Sequence, residues 1–339
     1  MTLLFITHRI NEEDDDLAFT IQWIETLKRF GVKVVVICVE KKVFHDQFPV
    51  YCLGGARGWR KILSALKFLK LIFSLKYDRV FMHMNPRWIV LGGWYWWLRR
   101  IPVYLWYTHY DTHIYLWLSE KIGKRIFVAT KQSIPMYEGN PKKVVTGHGI
   151  NTDFWFNYDK TITRKDKTQL LSVSRLSKSK RINIGIETLI YLPQDYTLTI
   201  YGRALDSDDQ KYVKELKKLI ENHHLQSRVF FKGSLPMLEL RSVYPCYSVI
   251  INMAPETIDK TLVEAMSCGV FPVTTKRNAE AIGINSTPEG DSPKEVARFI
   301  EELPSFSEER ERKLQEITKN KHDLERLVKK FLVYIEKGQ

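Results

Sequence analysis

Two carboxylates, Glu256 and Glu264, and a run of cations, Arg175, Lys178, Lys180 and Arg181, are the residues of this 339-residue chain best suited to chemistry on a charged, hydroxyl-rich substrate. In Glu256-Thr-Ile-Asp-Lys-Thr-Leu-Val-Glu264-Ala-Met-Ser-Cys-Gly269, Asp259 reads as the N-cap of a helix that Gly269 ends. The backbone N–H groups of Lys260, Thr261 and Leu262 would then be free to receive a diphosphate. A carboxylate on either side could accept hydrogen bonds from two adjacent hydroxyls, as a ribose or hexose offers. For the capping residues alone, an ordinary N-capped helix with a surface Glu is the simpler account. The second cluster, Ser174-Arg-Leu-Ser-Lys-Ser-Lys-Arg181, follows an apolar β-rich run. An Arg fork beside a Lys point charge can neutralise a leaving diphosphate without a metal. Its place at the end of a strand is what separates it from a solvated basic loop.

These residues need elements to position them. Short β-rich runs alternate with helical patterns, which argues for parallel sheets with crossover helices. Strands are expected at Leu3–Thr7, Val32–Val39, Arg79–Met84, Val103–His109, Arg125–Ala129 and Val144–Gly147. A polar, aperiodic stretch from Asn157 to Thr168 reads as a linker, after which strands restart at Leu170–Ser174, Thr197–Tyr201, Val229–Phe231, Val249–Asn252 and Phe271–Thr274. Helices are expected from about Leu17 to Phe30, closed by Gly31, from Trp59 to Leu75, Ile184 to Leu192, Asp208 to Asn222 and Asp259 to Ser267, with a charged helical tail from Glu309 to Lys337. The fold class is therefore α/β, with two Rossmann-like doubly wound domains facing a cleft. The expected divisions are 1–156 on the acceptor side, 157–168 as linker, 169–318 for the donor, and 319–339 as a C-terminal helix returning to the first domain. In such sheets ligands bind beyond the carboxyl ends of the strands.

Composition fits a folded globular protein, 44% hydrophobic and 27% charged. With 52 Lys+Arg against 39 Asp+Glu the net charge is +13, which suits nucleic acid, acidic lipid or a phosphorylated small molecule. Cys38, Cys52, Cys246 and Cys268 are scattered, with no CxxC pair or zinc spacing, as buried free thiols in a reducing compartment would be. The apolar start reads as a first strand rather than a signal peptide. The run Trp88–Leu98 is far shorter than the roughly 20 residues of a membrane span. A cytoplasmic location is expected. Trp94-Tyr-Trp-Trp97 reads as core, which counts against a nucleic-acid-binding protein.

The segment Glu256-x7-Glu264 followed by Ala-Met-Ser-Cys-Gly-Val-Phe-Pro-Val resembles the signature of glycosyltransferase family 4, retaining enzymes of GT-B fold. Ser174-Arg-Leu with Lys180 resembles that family's Gly-Arg-Leu…Lys-Gly motif. Tyr201-Gly202, Val229-Phe-Phe-Lys-Gly233 and Gly147-His-Gly-Ile-Asn151…Phe154 fall in the same order as in the family. The likeness covers nearly the whole chain and is strongest from 144 to 285. It implies that Glu264 holds the donor ribose, Glu256 the hydroxyls of the transferred sugar, and Arg175 and Lys180 the diphosphate. Ser174, Gly202 and Thr257 would join Lys260, Thr261 and Leu262 around the donor, and Lys232, Gly233 and Leu235 would frame the base. His109 would match the family's active-site histidine; as a lone residue it is more often structural. Three departures stand out: Ser174 and Arg181 replace glycines, Thr257-Ile-Asp-Lys replaces Gly-Phe-Gly, and Asn11-Glu-Glu-Asp-Asp-Asp16 is acidic where many members are glycine-rich.

The expected function is a retaining, metal-independent hexosyltransferase that uses a UDP- or GDP-linked sugar as donor substrate, with no cofactor. Its acceptor would be a glycan or a lipid-linked sugar of envelope or polysaccharide synthesis. A nucleotide-sugar epimerase or glycan phosphorylase of the same fold is the alternative. No nucleic-acid partner is expected, and no strand is followed by GxGxxG, which disfavours a dinucleotide oxidoreductase. Asp14–Asp16 are read as helix-start acids rather than metal ligands. In the helix at about 57–76, Ile62, Leu66, Leu69 and Phe73 form one stripe with Arg60, Lys61 and Lys67 opposite. A crossover helix packed on the core and a peripheral contact with an anionic membrane both fit that pattern.

Overall fold

The computed structural model describes residues 1–12, 19–45, 47–55, 59–108, 112–164, 166–255 and 258–337. Two units divide the chain: 1–149 with 324–339, and 150–323. The first contains β1 (Thr2–Ile10), α1 (Phe19–Arg29), β2 (Lys33–Lys41), β3 (Val50–Cys52), α2 (Arg60–Ser74), β4 (Arg79–His83), α3 (Arg87–Leu98), β5 (Val103–Trp106), α4 (Ile114–Ile122), β6 (Arg125–Val128) and β7 (Lys143–Val145). The second contains α5 (Thr152–Phe156), β8 (Gln169–Val173), α6 (Ile182–Tyr191), β9 (Thr197–Tyr201), α7 (Ser207–Asn222), β10 (Val229–Phe231), α8 (Met237–Val243), β11 (Val249–Asn252), α9 (Lys260–Ser267), β12 (Phe271–Thr274), α10 (Lys276–Ile282), α11 (Pro293–Glu302) and α12 (Glu308–Lys321); the last helix, α13 (Leu324–Glu336), belongs to the first.

Described residues of the first unit form a seven-stranded parallel sheet in the order β3-β2-β1-β4-β5-β6-β7. Alternation along β1 feeds two cores: Leu3 and Phe5 pack with Trp23 and Ile24 of α1 and Phe331 of α13, while Leu4 and Ile6 pack with Phe68 and Ile72 of α2, Ile89 and Trp96 of α3 and Leu116 of α4. Sequence reading missed β3, whose three residues are too short to show a period. For the apolar stripe of α2 it left a core-packed face and an exposed one both open. The helix buries Ser64, Phe68 and Ile72, and the stripe Ile62, Leu66 and Phe73 faces solvent. A helix with two apolar stripes does not declare which one meets the sheet. Trp94 and Trp97, expected in the core, are exposed, and only Trp96 of that run is fully buried.

The second unit is a five-stranded parallel sheet in the order β10-β9-β8-β11-β12. Residues 157–168 are not a linker between units but part of this one. Arg164, half-buried, donates to the carbonyls of Tyr247 and Cys268 and pairs with Glu311. The tail is two helices rather than one, broken at His322–Asp323, where the chain leaves the unit next to where it entered: Ile150 N–H donates to His322 O at 2.8 Å and Thr152 Oγ1 to Asp323. The unit boundaries therefore fall after Gly149 and Asp323, not at 157 and 319.

Candidate functional site

At the carboxyl ends of β8, β9 and β10 the backbone is stitched across the strands. Ser174 N–H donates to Tyr201 O at 3.1 Å, Leu176 N–H to Arg203 O at 3.0 Å, Lys232 N–H to Ile200 O at 2.9 Å and Gly202 N–H to Gly233 O at 2.8 Å. Gly202 is required there: a Cβ on it would lie 1.9 Å from the carbonyl oxygen of Ser174. Gly233 is left-handed, at φ +78, with open space around it. Ser174, Gly202, Lys232 and Gly233, named separately in the sequence, thus share one ridge. Lys232 is exposed on it and Leu235 half-buried.

Arg175 projects from this ridge onto the start of α7. Its Nε donates to Asp209 Oδ2 at 2.8 Å and its Nη2 to Asp209 Oδ1 at 3.2 Å and Asp206 Oδ2 at 3.1 Å. Asp206 caps α7 by accepting from Asp208 and Asp209 N–H. Burial pushes the Asp209 carboxyl up, but the Arg175 guanidinium and the Leu205 N–H more than reverse this and hold it below its ordinary value. Lys180 lies on a short 3-10 turn and donates to Asp259 Oδ2 at 2.9 Å. The other two cations of the loop turn elsewhere: Lys178 pairs with Glu215, and Arg181 with Asp291 at 2.7 Å. Arg181 stands in a left-handed conformation, φ 49 and ψ 41, at the position where the resembled motif has glycine.

Asp259 is the N-cap of α9, with Oδ1 accepting from the N–H (3.2 Å) and hydroxyl (2.9 Å) of Thr261. Its Oδ2 accepts from Asn252 Nδ2 at 2.9 Å as well as from Lys180. Burial opposes this charge, yet the Lys180 ammonium and these donors bring the carboxyl down to about 2. Of the three N–H groups expected to be free for an anion, two are engaged by the cap itself: Thr261 N–H by Asp259 Oδ1 and Leu262 N–H by Asp259 O. Leu262 is fully buried and Thr261 half-buried. Glu264, one turn on, is buried, with Oε1 3.1 Å from Lys260 Nζ and Oε2 accepting from Tyr244 Oη at 3.4 Å. Burial raises its carboxyl above the ordinary range, with Lys260 pulling the other way. The site is thus not a bare basic patch: Arg175, Lys180 and Lys260 each face a carboxylate.

Sequence reasoning missed Asp206, Asp209, Tyr244, Asn252 and Asn278. None lies in a motif, and each reaches the site from a separate element. Asn278, fully buried at the start of α10, accepts from Asp259 N–H, and its Nδ2 has no partner among the described residues. His109, Glu256 and Thr257 lie outside the described residues, as do Asp14–Asp16. Among the described residues no group of three or more His, Cys, Asp or Glu could hold a metal ion.

In the first unit the carboxyl ends of β1, β4 and β5 bring together Thr7, His83 and Trp106, with His148 beside them. Thr7 Oγ1 lies 3.4 Å from His83 Nδ1, and the His83 ring stacks on Trp106 at 5.0 Å. His83 Nε2 and Trp106 Nε1 are buried without partners among the described residues. Burial alone drives the imidazole of His83 down to about 3, so it is neutral. His83 was not singled out in the sequence, where only its place after a strand could have marked it.

The family model described as Glycosyl transferases group 1 matches residues 153–322, half of the chain. No curated protein sequence matches it. In fold the chain is similar to HepE (Alr3699) of Anabaena, solved in complex with UDP-glucose: 17% identity, 99% of this chain and 100% of that one, TM-score 0.79. It is similar too to the sucrose-phosphate synthase of Thermosynechococcus elongatus (15%, 99% and 98%, TM-score 0.76) and to a glycosyltransferase of Rickettsia africae ESF-5 (16%, 99% and 98%, TM-score 0.74). Two parallel-sheet α/β units, the strand-end cluster of the second and the family match over that same unit agree, and the chain belongs to the glycosyl transferases group 1 family, on a GT-B fold.

Proposed function

We propose that the protein transfers a hexosyl group, with retention of anomeric configuration and without a metal ion, from a UDP- or GDP-linked sugar to a glycan or lipid-linked acceptor of envelope or polysaccharide synthesis. The observation that carries this is the gathering of Arg175, Lys180 and the Gly202–Gly233 ridge at the carboxyl ends of adjacent parallel strands, where open α/β sheets bind their ligands. HepE, of like fold, binds UDP-glucose.

In this reading Asp209 and Asp259 hold the Arg175 and Lys180 side chains in place before the donor arrives. The two cations then share their charge with the donor diphosphate. Glu264 takes the ribose hydroxyls, Glu256 those of the sugar, the Lys232–Leu235 loop lies against the base, and His109 stands near the sugar. A double displacement would need a nucleophilic carboxylate beside the anomeric carbon. With Glu256 assigned to the sugar hydroxyls, same-face transfer is the simpler course. The bond from the anomeric carbon to the diphosphate oxygen breaks through an oxocarbenium-like state. The acceptor hydroxyl attacks from the side the diphosphate leaves, and its proton passes to that diphosphate. Arg175 and Lys180 stabilise the charge growing on the leaving group.

Removing one such contact costs roughly 2.7–4 kcal/mol in the barrier, so Arg175→Ala and Lys180→Ala should each lower turnover about 100- to 1000-fold. Arg181→Ala, whose side chain pairs with Asp291, should stay near wild type. Near-wild-type turnover in both Arg175→Ala and Lys180→Ala would sink the mechanism. Turnover of donor without any acceptor would point to epimerisation instead, and loss of activity in excess EDTA, restored by a divalent cation, would remove metal independence.

A further inference from the structure

One face of the first unit carries apolar surface that its own packing does not use. Residues of α2, α3 and α4 share the core on a single side of the sheet, so these helices form one outer layer. On the solvent side of α2 lie Trp59, just before the helix, and Ile62, Leu63, Leu66 and Phe73. At 100° per residue these positions fall within one stripe about 100° wide. Trp59 is 70% exposed and Leu66 59%. Phe73 carries the stripe onto the end of α3, its ring 5.7 Å from Trp94 and 4.7 Å from Tyr95. Trp97, 80% exposed, and Leu98 follow. From Trp59 to Phe73 the stripe runs about 21 Å at 1.5 Å per residue.

Charge says what covers it. Neither α2 nor α3 contains Asp or Glu. Arg60, Lys61, Lys67 and Lys70 on α2 and Arg99 and Arg100 after α3 are all exposed. Lys70 stands within the apolar stripe and Lys67 at its edge. A protein interface depletes lysine at its core. Trp anchors interleaved with Lys and Arg are the pattern of a helix lying in a bilayer interface, where aromatic rings enter the headgroup region and long basic chains reach the phosphates. No helix of the described residues is long and apolar enough to cross a membrane. We propose that the outer face of α2, continued by the end of α3, is a docking surface for a bilayer containing acidic phospholipid. Trp59, Leu66, Phe73 and Trp97 enter the interface, and Lys67, Lys70, Arg99 and Arg100 meet lipid phosphates. The surface needs nothing of the donor site and stands whether or not that reading holds.

Co-sedimentation of the full chain with vesicles tests this, using phosphatidylcholine alone and phosphatidylcholine mixed with phosphatidylglycerol. The protein should sediment with the mixed vesicles, much less with phosphatidylcholine alone, and release as salt is raised. Lys67→Gln with Lys70→Gln should weaken binding roughly 30-fold, from about 1 kcal/mol per basic residue near the surface. Trp59→Ser with Trp97→Ser should abolish it, with melting unchanged in both double variants because all four side chains are exposed. Absence of binding to the mixed vesicles, or unaltered binding by both double variants, overturns the proposal. So does a wild-type dimer in solution that Trp59→Ser with Trp97→Ser dissociates, since that gives the face to a second copy of the chain.

Discussion

Asp259 shows how a single residue can be legible in its local role and hidden in its wider one. Its capping of α9 follows from its spacing to Gly269, but its pairing with Lys180, 79 positions earlier, depends on β8 and β11 being neighbours. The same holds for Arg175 and Asp209, and for Glu264 and Tyr244. Motifs marked both Lys180 and Asp259 but only one member of the other two pairs, and in every case the fold supplied the pairing. Gly202 is the most constrained small residue of the ridge. Gly202→Ala should destabilise the second unit by about 3 kcal/mol or more, because backbone rather than a flexible side chain blocks the Cβ. Urea unfolding measures this, and a wild-type midpoint would mean the ridge is looser than described. Two buried imidazoles contribute to the acid response. Burial takes His83 down to about 3 and His322 to about 4, each from an ordinary 6.5. Below about pH 6.5 the unfolded chain gains a proton that the folded one refuses. Stability is therefore lost as pH falls from there towards those lower values, by about 1.4 kcal/mol per pH unit for each histidine. His83→Gln should flatten the slope by one such share; an unchanged slope between pH 6.5 and 4 would show that His83 is not the group responsible.

Among the elements, every strand but the three-residue β3 was readable because parallel strands buried on two faces give short β-branched runs between helices. What failed was orientation and attachment. The α2 pattern gave a helix and an apolar stripe but not the direction that stripe faces, since this depends on Phe68 and Ile72 fitting the sheet. Residues 157–168 look like a linker because they lack a period. Arg164 nonetheless fastens them, as three carbonyl and carboxylate partners compensate its burial. The turn between β8 and α6 offers a test. Arg181 bears a left-handed strain of roughly 1–2 kcal/mol, against a half-exposed pair with Asp291 and the entropy cost of glycine, each up to about 1 kcal/mol. Arg181→Gly should thus leave stability within about 1 kcal/mol of wild type and donor affinity intact. A loss of donor binding would show that the Arg181 side chain serves the ligand after all.

For the whole molecule, the tail is the informative feature. α13 returns to the first unit and buries Leu324, Leu327, Val328, Phe331, Leu332 and Ile335 there. At about 1.5–3 kcal/mol per fully buried side chain, these six contribute on the order of 10 kcal/mol, as much as a domain's entire stability. Ending the chain at Asp323 should therefore leave the first unit molten or insoluble while the second stays folded; two intact melting transitions would refute this. A charged helical tail was visible in the sequence, but the break at His322–Asp323 was not, because it is set by the contacts of Ile150, Thr152 and Ile282. The central claim concerns the second unit, as the place where a nucleotide sugar binds. Its most direct test is thermal stabilisation of the full chain by UDP-, GDP- and ADP-sugars, with NAD and single-stranded DNA as controls, on the wild type, Glu264→Gln and Glu264→Ala. A shift with one nucleotide-sugar series that disappears in Glu264→Ala is the predicted result and identifies the base. No shift with any nucleotide sugar, together with one for NAD or DNA, would contradict the account at its functional core.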